Sequence, residues 1–206
     1  MTAAARLEFD EITHSYTIDG ARVPSVTAVL EDVGIIDYSA IPDGTRIMSL
    51  ERGRFVHSLC QFDDEGSLDE STVDPRLSGY LHAWRRFRSD HGFRPDLNEH
   101  RDYCAAFGYA GTLDRRGVFE HVYGSPAPTG EALIDIKTSV APFWAAYQTA
   151  AYANFFDSPA KYRRMAVELH ADETYRVHEY RCSDFAKHLN VFLAALAVYN
   201  AKRSTR

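Results

Sequence analysis

Hydrophobic and polar residues alternate along some stretches of this chain and recur at helical spacing along others. Alternation predicts a hairpin over residues 8–24 around an Asp19-Gly20 turn, then strands over 99–107, 112–121, 131–138, 162–170 and 174–181. Helical spacing predicts helices over residues 25–33, 43–63, 74–91, 142–156 and 183–201. The order of these elements predicts an α/β (α+β) fold, in which a mixed central β-sheet is flanked by helices.

The connections between these elements also leave a signal in the sequence. Residues 63–67 are expected to form a solvated loop, residues 108–111 a turn and residues 124–130 a hairpin loop. The helix over 43–63 is expected to bury one apolar face against the rest of the protein. That face comprises Ile47, Leu50, Phe55, Leu59 and Phe62.

The strand over 131–138 carries two charged residues within an apolar run. Asp135 and Lys137 are two residues apart, so their side chains point to one face of the strand, whereas Ile134 and Ile136 point to the other. A buried carboxylate and a buried ammonium group are costly to desolvate unless something uses them. A divalent metal ion beside Asp135, with Lys137 facing a water or a phosphate, would use both.

A second carboxylate is expected beside the first. Asp114 ends the segment Gly111-Thr112-Leu113-Asp114 on the preceding strand, so pairing of the two strands would bring it close to Asp135. Two carboxylates held together need a proton or a cation between them, and oxygen ligands suit Mg²⁺ or Mn²⁺. The alternative for a single aspartate on a strand is a solvated side chain, which is the commoner case.

Two helices offer further candidates at helical spacing. Gly53 and His57 lie one turn apart, and a glycine inside a helix costs about 1 kcal/mol, which suggests close approach of another backbone. His57 could then supply a nitrogen ligand, or it could simply be satisfied by a local hydrogen bond. Gln148 and Tyr152 share a face of the helix after the Asp135 strand, where they could support a phosphate or could belong to the core edge and the surface.

Length and composition bound the class of protein. A chain of 206 residues favours one domain over residues 1–206, with an N-terminal hairpin and helices over 1–95 and the sheet core over 96–206. The net charge of −6 argues against coating nucleic acid by overall charge, but it is compatible with a cluster of metal-binding carboxylates. Without an apolar run of about 18 residues or a secretion signal, we expect a cytoplasmic protein with no membrane segment.

The motifs taken together resemble those of a known enzyme superfamily. Gly53…His57, Gly111-x-x-Asp114, Asp135-x-Lys137 and Gln148-x-x-x-Tyr152 occur in the order seen in the PD-(D/E)XK nucleases. More narrowly, the chain resembles the RecB-like branch, which includes many phage exonucleases. The N-terminal segment His14-x-Tyr16-x-x-Asp19-Gly20 is also similar to the start of phage-encoded members.

The resemblance implies a restriction-endonuclease-like core and assigns roles to the motif residues. It implies that His57, Asp114, Asp135 and the carbonyl of Ile136 bind Mg²⁺ or Mn²⁺, as one or two ions. Asp114, Asp135 and Lys137 would be catalytic, with Lys137 orienting or deprotonating the attacking water. Gln148 and Tyr152 would support the site and touch DNA, and Glu99 holds about the position of an acidic residue that many relatives carry. Arg54 and Arg115 are basic candidates for the DNA backbone.

The cysteines separate this chain from the iron–sulfur members of that branch. Cys60, Cys104 and Cys182 are scattered and form neither a disulfide framework nor a zinc pattern. The iron–sulfur members need four cysteines, three of them near the C-terminus, so we expect no iron–sulfur cluster here.

The expected function is a metal-dependent DNA nuclease, and specifically an exonuclease acting on DNA ends in recombination, repair or phage DNA metabolism. Its partner would be DNA, and the resemblance also suggests a recombinase or single-strand-annealing protein and a homo-oligomer, in the cytoplasm of a bacterial or phage-infected cell. Two alternatives stay open. One is a catalytically silent DNA- or partner-binding module with a nuclease fold, and the other is a restriction-type endonuclease.

Overall fold

The computed structural model describes residues 6–120 and 129–204. The strands in this part of the chain are β1 (Leu7–Asp10), β2 (Ser15–Ile18), β3 (Ala21–Val23), β4 (Phe93–Cys104), β5 (Tyr109–Phe119), β6 (Gly130–Lys137), β7 (Arg163–Leu169) and β8 (Tyr175–Tyr180). The α-helices are α1 (Val26–Asp32), α2 (Asp43–Asp64), α3 (Ser78–His91), α4 (Ala145–Ala153) and α5 (Phe185–Ser204). Short 3₁₀ turns lie between some of these elements.

The expected mixed sheet with surrounding helices is confirmed. Its five strands lie in the order β4-β5-β6-β7-β8, with β6 and β7 parallel and the other neighbours antiparallel. One apolar cluster joins Leu133 of β6 to residues of α1, α4 and α5, and a second joins Ile134 and Ile136 to residues of α2 and α3. Adjacent residues of β6 therefore contribute to different clusters, as expected for a strand buried on both faces.

The N-terminal segment forms a small sheet of three strands where the sequence predicts a hairpin. β1, β2 and β3 pair antiparallel in that order, and the Asp19-Gly20 turn has positive φ at both residues (49° and 78°). Such a turn matches the twist of the strands that it joins. The Tyr16 hydroxyl lies 2.6 Å from that of Thr112, which ties this small sheet to β5.

The first strand of the central sheet begins earlier than the sequence predicts. β4 starts at Phe93 and ends at Cys104, and residues 105–108 form the turn into β5, which already begins at Tyr109. The sequence does not mark the start of this strand, because Pro95 lies near it and proline cannot donate to a ladder. β4 is an edge strand with a register shift between Pro95 and Leu97, and an edge or a bulge is where a strand tolerates proline.

Helix α2 buries a different face from the one that the sequence predicts. Ile47, Leu50, Phe55 and Phe62 are about half exposed or more, at 54%, 51%, 62% and 49%, and only Leu59 of the expected set is buried. The buried residues of α2 are Val56, Leu59 and Cys60. They all lie in the second half of the helix, because only that half packs against the second apolar cluster.

Smaller differences concern the ends of elements. α3 begins at Ser78 and α4 at Ala145, each a few residues later than expected. The loop expected over 124–130 lies outside the described residues except for Thr129 and Gly130, and Gly130 is already the first residue of β6. Within residues 6–120 and 129–204, no helix combines the length and hydrophobicity that crossing a membrane requires.

Candidate metal centre

The candidate site lies where β5 and β6 part. The two strands are paired from Phe119 opposite Gly130 to Arg115 opposite Ile134. Two residues beyond Ile134, the backbone N–H of Ile136 donates to the carboxylate of Asp114 instead, at 2.7 Å. The side chain of Asp114 thus takes the place of a backbone acceptor, which fixes this carboxylate beside the strand that carries Asp135 and Lys137.

Three side chains from three elements converge at this point. His57 of α2, Glu99 of β4 and Asp114 of β5 each offer a ligand atom, and these atoms all lie within 4.8 Å of one another. His57 Nδ1 lies 3.4 Å from Glu99 Oε1 and 3.6 Å from Asp114 Oδ1. The three side chains are partly exposed, so solvent and small solutes reach them.

Glu99 reaches this group from an unusual backbone conformation. Its φ is +43°, in the left-handed region that side chains other than glycine rarely adopt within a strand. Such strain persists only where the surroundings over-determine it, and it is concentrated at functional sites. The Glu99 carboxylate is held on two sides, by His57 at 3.4 Å and by Arg115 Nη1 at 2.9 Å. The structure therefore brings Glu99 fully into the candidate site.

Asp135 and Lys137 share one face of β6, as expected, but they pair with each other. Lys137 Nζ lies 2.9 Å from Asp135 Oδ1 and 2.8 Å from Oδ2. Asp135 is not among the side chains whose ligand atoms converge, which are His57, Glu99 and Asp114, although the sequence predicts that Asp114 and Asp135 face each other across a metal ion. Among the described residues, the ammonium group of Lys137 is the charged partner of both Asp135 oxygens.

Burial and neighbouring charges shift the pKa values of the converging groups. Burial raises the pKa of Asp114 to about 6, with Asp135 and Glu99 adding to the rise and His57 opposing it. Burial by itself would lower the pKa of His57, but Asp114 and Glu99 raise it to about 9. His57 is therefore protonated at neutral pH and compensates the two carboxylates, and a metal ion that binds the same atoms must displace that proton.

Lys137 stays charged for a similar reason. Burial would lower its pKa, but Asp135 and Asp114 more than offset that effect and leave the pKa raised. Its Nζ also lies 3.4 Å from Gln148 Oε1 and 5.1 Å from the centre of the Trp144 ring. A lysine with a raised pKa is a fixed positive charge, and this favours orientation and charge stabilisation over deprotonation of a water.

The donor set could hold a divalent cation. Two carboxylates and one imidazole come together, with the carboxylates on the Nδ1 side of His57, and the Ile136 carbonyl lies 3.0 Å from the other ring nitrogen, Nε2. A set of carboxylates and one imidazole, without a thiolate, is compatible with several divalent cations. The described residues near this point thus include three of the four expected ligands, His57, Asp114 and Ile136, together with Glu99.

Gln148 and Tyr152 lie behind Lys137. Both are buried, and Gln148 Nε2 donates to the Tyr152 hydroxyl at 3.1 Å. A Cβ added at Gly111 would lie 2.7 Å from Tyr152 Cε1, so the glycine of the Gly111-x-x-Asp114 motif makes room for this ring. The expected support of the site agrees with these contacts, whereas burial leaves little of either side chain for the expected contact with DNA.

The two basic candidates have different surroundings. Arg54 is exposed on α2, near the start of the turn that carries His57, and it remains available to a phosphate. Arg115 is fully buried, and its donors are used by Asp64, Glu99 and the carbonyl groups of Asp114 and His57. The expected contact between Arg115 and DNA therefore has to be withdrawn, because its guanidinium group faces the protein interior.

Asp64 is a site-supporting residue that the sequence does not reveal. Its side chain is fully buried and contacts Arg115, although residues 63–67 are expected to form a solvated loop. A pair of aspartates at a helix end usually faces solvent, so no local signal separates Asp64 from its neighbour. The close backbone approach expected at Gly53 is not observed. A Cβ added at Gly53 would meet only Thr138 Oγ1, at 4.0 Å.

Comparison with models of known protein families gives no match, and comparison with curated protein sequences gives none either. Support for a function therefore comes from the geometry and chemistry of this site.

Proposed function

We propose that this protein is a metal-dependent deoxyribonuclease with a restriction-endonuclease-like core, of the RecB-like branch of the PD-(D/E)XK superfamily, that hydrolyses phosphodiester bonds at DNA ends. One observation carries the proposal. His57, Glu99 and Asp114 converge within 4.8 Å beside an Asp135–Lys137 ion pair, at the place where β5 and β6 part. Convergent carboxylates with an adjacent ammonium group suit the hydrolysis of an anionic ester.

The residues divide into those that would hold a cation and those that act around it. His57, Glu99, Asp114 and the Ile136 carbonyl would hold Mg²⁺ or Mn²⁺, which when bound supplies an activated water and neutralises charge on the phosphate. Lys137 presents a fixed positive charge where negative charge develops on the phosphate oxygens. Asp135 orients Lys137 through the contacts at 2.8 and 2.9 Å, and Gln148 limits its movement on the other side.

Contact with DNA would come from local basic residues, because the chain as a whole carries a net charge of −6. Arg46 and Arg54 are exposed on α2, the helix that also carries His57. An exposed guanidinium group on that helix could contact the phosphates that flank the scissile bond. We also propose that the protein acts in the cytoplasm, on bacterial or phage DNA, together with a recombinase or single-strand-annealing protein.

A cleavage assay tests the proposal. The purified protein is incubated with linear duplex, single-stranded and covalently closed circular DNA, with Mg²⁺ or Mn²⁺ and with EDTA. We expect metal-dependent degradation of linear DNA, which Asp114→Asn abolishes and Lys137→Ala slows by about 100-fold or more. The matched controls, Asp157→Asn and Lys187→Ala, change exposed residues of the same types away from the site and should keep full activity.

Three results would change the assignment. Full activity in Asp114→Asn or Lys137→Ala would overturn the proposed site. Cleavage of closed circular DNA as fast as linear DNA would indicate a restriction-type endonuclease. Metal binding without cleavage of any of these substrates would indicate the catalytically silent binding module.

A further inference from the structure

The guanidinium group of Arg115 contacts all three residues of the candidate metal centre. Nη1 donates to the Glu99 carboxylate at 2.9 Å and to the Asp114 carbonyl at 2.7 Å. Nη2 donates to the His57 carbonyl at 3.2 Å. These residues belong to β4, β5 and α2, so one planar group with rigid donor geometry connects the three elements that supply the ligands.

Asp64 fixes this guanidinium group from the opposite side. Arg115 Nε donates to Asp64 Oδ2 at 2.6 Å, and both side chains are fully buried. Asp64 also accepts a hydrogen bond from Trp84 Nε1 at 2.9 Å and one from Arg88 Nη1 at 2.7 Å. Because Trp84 and Arg88 lie on α3, the position of the guanidinium group is set by α2 and α3 together.

Stability alone does not account for a charged pair in this interior position. Desolvation of two buried ions costs about as much as their attraction returns, and apolar replacements are often as stable. A fixed cation at this position would serve two features of the site. The carboxylates of Glu99 and Asp114 are held close together, and Glu99 keeps a strained backbone with φ at +43°.

From these contacts we infer that Arg115, anchored by Asp64, is the positioning residue of the metal centre, which holds His57, Glu99 and Asp114 at the spacing that a divalent cation needs. This inference rests on the proposed function for the identity of the cation. Arg115 acts through the ligand residues, since its donors are used within the protein. Groups of this kind typically change metal affinity by about 10- to 100-fold when they are altered.

The test compares two buried arginines. Arg115→Lys keeps the charge but loses the planar donor geometry. Arg164→Lys is the matched control, because Arg164 is equally buried but donates to the carbonyl groups of Ala146 and Arg181, away from the candidate ligands. The Mn²⁺ dissociation constant of each variant is measured by titration calorimetry on protein whose fold is verified by circular dichroism.

We expect Arg115→Lys to raise the Kd for Mn²⁺ by about 10- to 100-fold and Arg164→Lys to leave it unchanged. Asp64→Asn should also raise the Kd for Mn²⁺. This variant leaves Arg115 unchanged, so it tests the inference if Arg115→Lys does not fold. Saturating Mn²⁺ should restore the kcat for DNA cleavage in both site variants, which a general loss of structure would not allow.

The outcomes separate this inference from the proposed nuclease activity. Unchanged Mn²⁺ affinity in Arg115→Lys or, if that variant does not fold, in Asp64→Asn would overturn the positioning role, while metal-dependent DNA cleavage would still stand. Weaker Mn²⁺ binding in these variants, with no DNA cleavage by the wild type, would support the positioning role and overturn the nuclease. A wild-type protein that binds no Mn²⁺ would overturn both.

Discussion

The protonation of His57 predicts a defined dependence on pH for metal binding at the proposed centre. Asp114 and Glu99 outweigh the effect of burial and raise the pKa of His57 to about 9, so a proton occupies this imidazole at neutral pH. A metal ion that takes His57 as a ligand must release that proton. Raising the pH should therefore strengthen the binding of Mn²⁺ to the protein.

The size of this effect follows from the two shifted pKa values. Between about pH 6 and about pH 9 one proton leaves for each ion bound, so the apparent affinity should rise about tenfold per pH unit. At pH 7 competition by the proton weakens binding by about 100-fold relative to fully deprotonated His57. Below about pH 6, where Asp114 also takes up a proton, the dependence should steepen toward two protons for each ion.

Titration calorimetry measures both the slope and the number of protons. Mn²⁺ is titrated into the protein at several pH values in buffers with different ionisation enthalpies, which reports the protons released. His57→Gln should bind Mn²⁺ more weakly and lose the slope above about pH 7. His82→Gln, the control at an exposed histidine paired with Glu173, should keep it. Binding that does not depend on pH, with no proton released, would refute the proposed role of His57 as a ligand.

Two further expectations concern single residues. Lys137→Ala should lower kcat by about 100-fold or more while the Kd for Mn²⁺ changes little, because Lys137 acts on the phosphate, and Lys187→Ala is the exposed control in the same assays. Gly111→Ala should lower the free energy of unfolding by about 1–3 kcal/mol, since the new Cβ would lie 2.7 Å from Tyr152. Gly44→Ala, which meets no atom within 4 Å, should be neutral or stabilising in chemical denaturation, and equal stability of the two alanine variants would contradict this packing.

The sequence predicts those relations within the site that depend on residue spacing along a single helix or strand. The period of two in β6 predicts that Asp135 and Lys137 share a face, and the structure joins them at 2.8 Å. Spacing along α4 likewise predicts that Gln148 and Tyr152 are neighbours, and they form a hydrogen bond. These relations depend only on positions within one element, which is why sequence spacing captures them.

Relations between elements could not be read in the same way. Glu99 joins His57 and Asp114 through a left-handed backbone conformation that no local residue pattern marks. Arg115 and Arg116 are adjacent residues of the same type. Arg115 is fully buried, whereas Arg116 forms a partly exposed ion pair with Asp96. The difference in burial between the two arginines depends on the buried carboxylate of Asp64, which lies on α2, far from Arg115 in the sequence.

The exposed side of α2 shows a related limit. Its apolar residues recur at helical spacing and therefore predict a buried face, but Ile47 and Phe55 are more than half exposed. Periodicity shows that one side of a helix is apolar, whereas burial depends on which neighbouring elements reach that side. Among the described residues of α2, those that are buried, Val56, Leu59 and Cys60, lie in its second half.

Anomalous diffraction from a crystal soaked in Mn²⁺ is the most direct test of the metal centre. We expect one strong peak within coordination distance of His57, Glu99 and Asp114, with the Ile136 carbonyl facing it. A protein crystal in which Mn²⁺ sites occur only at surface carboxylates, with none among these three side chains, would contradict the proposed centre.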